Sequence, residues 1–199
     1  MTEHLQHMRK VFSILSTNSL HINAKKCRFR ESKLEYLGHW VSVGVEVDKE
    51  KISAMTNWPI PRNLKELRGF LGLTGYYRKF IANYASIAWP LTQLLRKDAF
   101  CWSREAQATF STLKQAMTMA PVLTLPNFSQ EFIVETDASG SSVGAILMQQ
   151  GRPIAYFSQA LPRRAKLKLA YERELMAIVL IVRKWRHYLI CQHFIIKID

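Results

Sequence analysis

Three acidic side chains stand where their surroundings could put them to chemical use. Asp137 closes the run Phe132-Ile133-Val134-Glu135-Thr136-Asp137 and is followed by Ala138-Ser139-Gly140, and Asp199 closes Phe194-Ile195-Ile196-Lys197-Ile198-Asp199. Both runs are rich in β-branched and aromatic residues, so each reads as a strand with a carboxylate at its carboxyl end. That end is where ligands gather in open α/β sheets. The third acid is on a helical pattern. At about 100° per residue, Glu174 falls within roughly 80° of Ile178, Ile181, Val182, Trp185 and Leu189, whereas Glu172 lies roughly 160° away on the solvent side. A carboxylate on an apolar face is costly unless it is paired or binds a metal. Converging carboxylates repel one another, and a divalent cation relieves the repulsion; all-oxygen donors suit Mg²⁺ or Mn²⁺. Two such ions about 3.5–4 Å apart activate a water and stabilise the leaving oxygen of a phosphodiester. Asp137, Glu174 and Asp199 therefore form the candidate catalytic and metal-binding set. Taken singly, each has a plainer reading: a turn-forming Asp, a helix first-turn acid near the positive dipole end, and a chain end.

Charge supports the joint reading. Lys and Arg number 28 against 15 Asp and Glu, a formal +13, and the excess is spread over both halves of the chain. A partner carrying a dense line of phosphates matches that charge. Hydrophobic residues make up 48% and charged residues 22% of the 199, ordinary values for a chain that buries a core, which excludes disordered and collagen-like classes. No apolar run approaches the ~20 residues of a membrane span, and the first residues, MTEHLQHMRK, hold no secretory apolar region. A cytoplasmic or nuclear protein with no membrane partner, not secreted, is expected. Cys27, Cys101 and Cys191 are too far apart for a C-x-x-C zinc site and odd in number, so they read as free thiols.

Three stretches position the acids. Residues 1–58 open with Leu5, Met8, Phe12 and Leu15 on one helical face, followed by short β-rich pieces around a turn at Gly44. Residues 59–126 read as helical. Asn63 with Glu66 three residues on resembles a capping box ahead of Leu64, Leu67 and Leu71. A second helix over 103–119 is capped by Ser103, carries Ala106, Phe110, Leu113 and Met117 on one face, and stops before Pro121. Residues 127–199 read as a meander of strands at 132–137, 144–149 and 153–158, a long helix at about 169–189, and a last strand from 194. That order, βββαβ, is a mixed sheet, and the whole is α/β (α+β) in class.

With these elements set out, several segments resemble a known family. Tyr36-Leu37-Gly38-His39, Trp58-Pro59, LRGFLGLTGYYRKFI (67–81), PLTQLL (90–95), TDAS (136–139), PIAYFSQAL (153–161), YERELMAI (171–178) and WRHYL (185–189) occur in order. Together they resemble the reverse transcriptase polyprotein of Ty3/gypsy-type LTR retrotransposons. The resemblance implies the end of a polymerase palm (1–58), a helical thumb or connecting region (59–126) and the start of a ribonuclease H domain (127–199). It implies that Asp137, Glu174 and Asp199 ligate two Mg²⁺ or Mn²⁺ ions. It also implies that Leu37, Gly38 and His39 belong to a hairpin at the primer end, and that Lys65, Arg68, Arg78 and Lys79 meet phosphates. The implied partners are an RNA–DNA hybrid or template–primer duplex and the remainder of the polyprotein.

Two departures bear on activity. No Tyr-x-Asp-Asp polymerase motif occurs, and Ile198 stands where the family has Thr, with the family's following His absent. No polymerase activity and a truncated ribonuclease H half are expected. The expected parent activity is hydrolysis of RNA in RNA–DNA hybrids; the alternative is a non-catalytic nucleic-acid-binding remnant.

Overall fold

The computed structural model describes residues 2–23, 25, 27–29, 31–138, 142–166 and 168–198. Two compact units emerge, Met1–Leu34 and Glu35–Asp199. The first contains helix α1 (Thr2–Thr17), whose Phe12 meets Phe29 edge-on at 6.1 Å.

A small antiparallel sheet leads the second unit. Its order is β1-β2-β3-β4, with β1 Leu34–Tyr36, β2 His39–Val41, β3 Gly44–Val47 and β4 Leu123–Thr124. Gly44 lies at the expected turn, where the Ser42 amide donates to its carbonyl at 2.8 Å just beyond the Val41–Val45 pair, and it also pairs with Thr124 of β4, which returns from far along the chain. Four helices follow: α2 (Lys49–Thr56), α3 (Leu64–Tyr76), α4 (Tyr84–Gln93) and α5 (Arg104–Thr118). The caps read from the sequence form. Asn63 accepts from the Glu66 amide at 2.9 Å while Glu66 accepts from the Arg62 amide at 2.7 Å, and Ser103 accepts from the Ala106 amide at 3.1 Å. These helices bury Leu67, Phe70, Leu91, Phe110, Leu113 and Met117 in one core, which Val47, Met55, Phe80 and Leu123 also enter. Phe70 and Phe110 pack at 4.5 Å in its centre.

The second sheet carries the βββαβ order. Strands β5 (Phe132–Ala138), β6 (Ser142–Gln149) and β7 (Arg152–Ala160) form the meander; α6 (Arg163–Lys166), α7 (Ala170–Lys184) and α8 (Arg186–Leu189) cross over; β8 (Phe194–Ile198) completes the order β7-β6-β5-β8. All pairings are antiparallel except β5 with β8, which is parallel. Phe132, Val134 and Leu147 pack against Ala177, Ile181, Trp185 and Leu189. The helix expected to run unbroken over 169–189 divides at Trp185. That residue is held in the core, edge-on to Phe157 at 6.4 Å, and its carbonyl takes the Tyr188 amide three residues on at 2.8 Å. The chain tightens there instead of continuing as α-helix.

Gln149, only 3% exposed, pins the loop that enters β5: its amide nitrogen donates to the carbonyls of Asn127 (2.8 Å) and Gln130 (2.9 Å), and its oxygen accepts from the Asn127 amide (2.9 Å). Replacing it strands these backbone groups. Gln149→Met is expected to lower the unfolding free energy by about 1–3 kcal/mol in urea titration; an unchanged midpoint would contradict this role.

Candidate active site and nucleic-acid surface

Strand alternation decides where Asp137 points. Phe132, Val134 and Thr136 are buried, and Ile133, Glu135 and Asp137 alternate with them on the other face of β5. Asp137 is exposed and stands opposite Gly144 of β6. On the far side of β5 the parallel register runs from Phe132 opposite Phe194 to Thr136 opposite Ile198. Asp199 lies outside the described residues. Glu174 is half-buried on α7, at the margin of the stripe centred on Ala177 and Ile181 and not at its middle. Glu172 is occupied locally, accepting from the Leu169 amide at 3.1 Å and pairing with Lys168 at 3.6 Å. Among the described residues, no three His, Cys, Asp or Glu side chains are grouped so as to hold a metal ion.

Asp137 borders a cleft of about 180 Å³ shared with Glu135, Gly144, Tyr156 and Asn83. Burial raises the Tyr156 hydroxyl above its ordinary pKa. Asn83 comes from the helical region, not from the sheet. It opens α4 in the left-handed conformation, φ 54°, and its Oδ1 would be 2.6 Å from a Cβ on Gly144. Two further links tie the first turn of α4 to the sheet: the Ala85 amide donates to Ser158 Oγ at 2.8 Å, and the hydroxyls of Ser86 and Ser142 share a hydrogen bond at 2.6 Å. The helical region thereby grips β6 and β7 beside Asp137.

The Leu37-Gly38-His39 segment forms a tight two-residue hairpin between β1 and β2. Leu37 and Gly38 both have positive φ, 51° and 74°, as a primed hairpin turn requires. Leucine adopts that conformation at a cost. Two tyrosines from the end of α3 hold it: Tyr76 donates to the Leu37 carbonyl at 3.0 Å and Tyr77 to the Gly38 carbonyl at 3.2 Å. A Cβ on Gly38 would meet the Tyr77 hydroxyl at 2.6 Å. His39 is 7% exposed, stacked on Tyr76 at 5.5 Å and edge-on to Tyr77 at 5.3 Å, with no hydrogen-bond partner at Nδ1. Burial first, then the Lys79 ammonium, lower its pKa. His39 is therefore part of the packing under the hairpin, while Leu37 is exposed.

Lys65 and Arg68 lie exposed in the first two turns of α3, and Arg78 and Lys79 lie exposed in the 3₁₀ turn Arg78–Phe80 beyond its other end. At 1.5 Å per residue they are strung along a helix of roughly 20 Å. Lys79 rests over the Phe80 ring at 5.3 Å, and partial burial there lowers its pKa.

Comparison with known proteins gives this arrangement a lineage. Residues 102–196 match the family described as "RNase H-like domain found in reverse transcriptase". That stretch, a little under half of the chain, is similar to the RNase H-like domain found in reverse transcriptase. The chain is also 40% identical, over its whole length, to the retrovirus-related Pol polyprotein from transposon 297 of Drosophila melanogaster, and 35% identical over 94% of its length to the transposon Tf2-3 polyprotein of Schizosaccharomyces pombe. It spans 19% and 15% of those two relatives. In fold it is similar to foamy viral protease-reverse transcriptase solved with an RNA/DNA hybrid, with TM-score 0.83 and 24% identity over 100% of this chain and 28% of that one. A second structure of the foamy viral enzyme, with dsDNA, gives TM-score 0.80 over 98% of this chain and 42% of that one.

The matched stretch covers α5, β4, β5, β6, β7, the crossover helices and the start of β8 as far as Ile196. RNase H-like domains generally use a divalent metal. Tyr76, Tyr77, Asn83, Ser142 and Ser158 were not singled out from the sequence. The adjacent tyrosines before Arg78 were the only legible signal, because a tyrosine hydroxyl reaching a backbone carbonyl 39 residues away leaves no periodic trace.

Two measurements check these contacts. Gly144→Ala is expected to lower the melting temperature by crowding Asn83, with about 1–3 kcal/mol lost, and the double variant with Asn83→Gly, which suits the positive φ, to recover most of it; equal losses in both would contradict the contact. His39 has a lowered folded-state pKa, so the unfolded chain takes up its proton first. Its contribution is complete above the ordinary value of about 6.5 and is lost as pH falls from there towards the folded-state pKa. Melting curves between pH 7 and 5 should show a steeper fall for the parent than for His39→Phe; parallel curves would count against a buried neutral imidazole.

Proposed function

We propose that this chain carries the ribonuclease H part of a Ty3/gypsy-type reverse transcriptase, a metal-dependent hydrolase of the RNA strand in RNA–DNA hybrids. The observation that carries the proposal is the RNase H-like sheet itself, in which Asp137 is next to last in the inner strand β5 and β8 runs parallel to it as far as Ile198. Asp137, Glu174 and Asp199 would hold two Mg²⁺ or Mn²⁺ ions. When bound, such ions activate a water and neutralise charge developing on the phosphodiester. The residues' own work would be to direct their carboxylates to one place. The strand end fixes Asp137, the first half of α7 brings Glu174, and the α4 grip on β6 keeps the Asp137–Gly144 pair from shifting.

The hybrid would be held by its phosphates. Lys65, Arg68, Arg78 and Lys79 supply a line of positive charge, and the hairpin at Leu37, Gly38 and His39 offers a rigid backbone edge to a strand end. Selection of RNA rests on contacts to 2′-hydroxyls. The solved relatives in fold are described with an RNA/DNA hybrid and with double-stranded DNA, which supports the same ligand class here. The remainder of the polyprotein is a partner, and the cytoplasm or nucleus the compartment.

An end-labelled RNA–DNA hybrid tests the reading. Incubation with Mg²⁺ or Mn²⁺ is expected to cleave the RNA strand, chelator to stop it, and Asp137→Asn to reduce the rate at least a hundredfold. If parent and variant are equally inert while both are folded and retain the hybrid, the chain is a non-catalytic binding remnant.

A further inference from the structure

The cleft beside Asp137 holds polar groups that the carboxylate chemistry does not use. Two rows of residues cross the sheet on its floor. Glu135, Ile146 and Tyr156 stand opposite one another on β5, β6 and β7, and Asp137, Gly144 and Ser158 form the next row on the same face. Asn83 overhangs the second row from the start of α4. A Cβ on Gly144 would meet its Oδ1 at 2.6 Å, so the missing side chain of Gly144 is what gives the amide its place.

At the start of a helix an asparagine side chain ordinarily caps the first turn. Here it makes no capping hydrogen bond, because the residue holds the left-handed conformation at φ 54°. The exposed amide is left facing the cleft with both a donor and an acceptor to offer. Tyr156 borders the same space, and burial raises its pKa, so its hydroxyl stays protonated and can donate. Glu135 is engaged by Lys197 at 3.4 Å.

Size and position narrow the occupant. The volume of about 180 Å³ is below the roughly 300–1,000 Å³ of drug-sized ligand sites, so the cleft admits one sugar-sized group and not a whole nucleotide. If Asp137 acts on a phosphodiester, the groups flanking the reacting phosphate are sugars. A ribose differs from a deoxyribose by a 2′-hydroxyl that both donates and accepts. An amide beside a neutral phenol is its chemical complement.

We propose that the Asn83 amide and the Tyr156 hydroxyl hydrogen-bond the 2′-hydroxyl of a ribose seated in the Asp137 cleft, and so select RNA over DNA. The inference rests on the hybrid-hydrolysis reading above and names its specificity determinants. One of them, Asn83, comes from the helical region, outside the matched stretch 102–196.

Fluorescence anisotropy with two labelled duplexes of one sequence decides it: an RNA–DNA hybrid and the corresponding DNA duplex, with chelator present so that neither is cut. The parent chain should bind the hybrid on the order of tenfold more tightly. Asn83→Gly, which suits the positive φ, should lose most of that preference by weakening the hybrid alone. Tyr156→Phe should lose part of it in the same way, and it decides the matter if Asn83→Gly does not fold. Lys65→Gln with Arg68→Gln should weaken both duplexes alike and keep their ratio. Folded variants that retain the parent's preference would overturn this inference and leave the hydrolase reading standing. A parent that cuts the hybrid when metal is supplied, yet binds both duplexes equally, would do the same. Failure to bind either duplex sinks both.

Discussion

The parallel pairing of β5 with β8 is the constraint on which the candidate site depends. Parallel neighbours need a crossover, and here the crossover is α6 through α8, so the helix bearing Glu174 is the same element that makes the pairing possible. The register then runs to Thr136 opposite Ile198, one residue short of Asp137 on one strand and of Asp199 on the other. Acids that are 37 and 25 residues apart in sequence are thereby tied to one crossover unit. A slip of one residue in β8 would turn its alternate side chains to the wrong face.

The helical region participates in this arrangement. The first turn of α4 reaches β6 and β7 through Asn83, Ala85 and Ser86, and Gly144, the partner of Asp137, is the position where an added side chain would crowd the Asn83 amide. At its other end the same region grips the hairpin through Tyr76 and Tyr77. A rigid core packed around Phe70 and Phe110 lies between these two attachments. Substrate held along α3 would in this way be referred to the same body that fixes the Asp137 hairpin.

Much of the fold could be read from the chain. The caps at Asn63 and Ser103 are local in sequence, and the βββαβ order follows from β-branched runs separated by turn residues, so each formed as expected. The failures have non-local causes. The pairing of β4 with Gly44, some 80 residues earlier, leaves no local trace, and the long helix breaks where Trp185 is committed to the core against Phe157. The candidate acids were legible because a carboxylate at a strand end or beside an apolar stripe is anomalous by type. The polar grip of α4 was not, since serine and asparagine are ordinary in loops and only the folded chain shows which hydroxyls meet.

The central claim is that the acids of the crossover unit share one divalent ion site, and a Mn²⁺ titration of the isotopically labelled chain tests it most directly. Paramagnetic broadening at low Mn²⁺ should strike the amide signals around Asp137, Glu174 and Ile198 together and be displaced by excess Mg²⁺. Broadening confined to other residues, or to Asp137 without Glu174 and Ile198, would contradict the account.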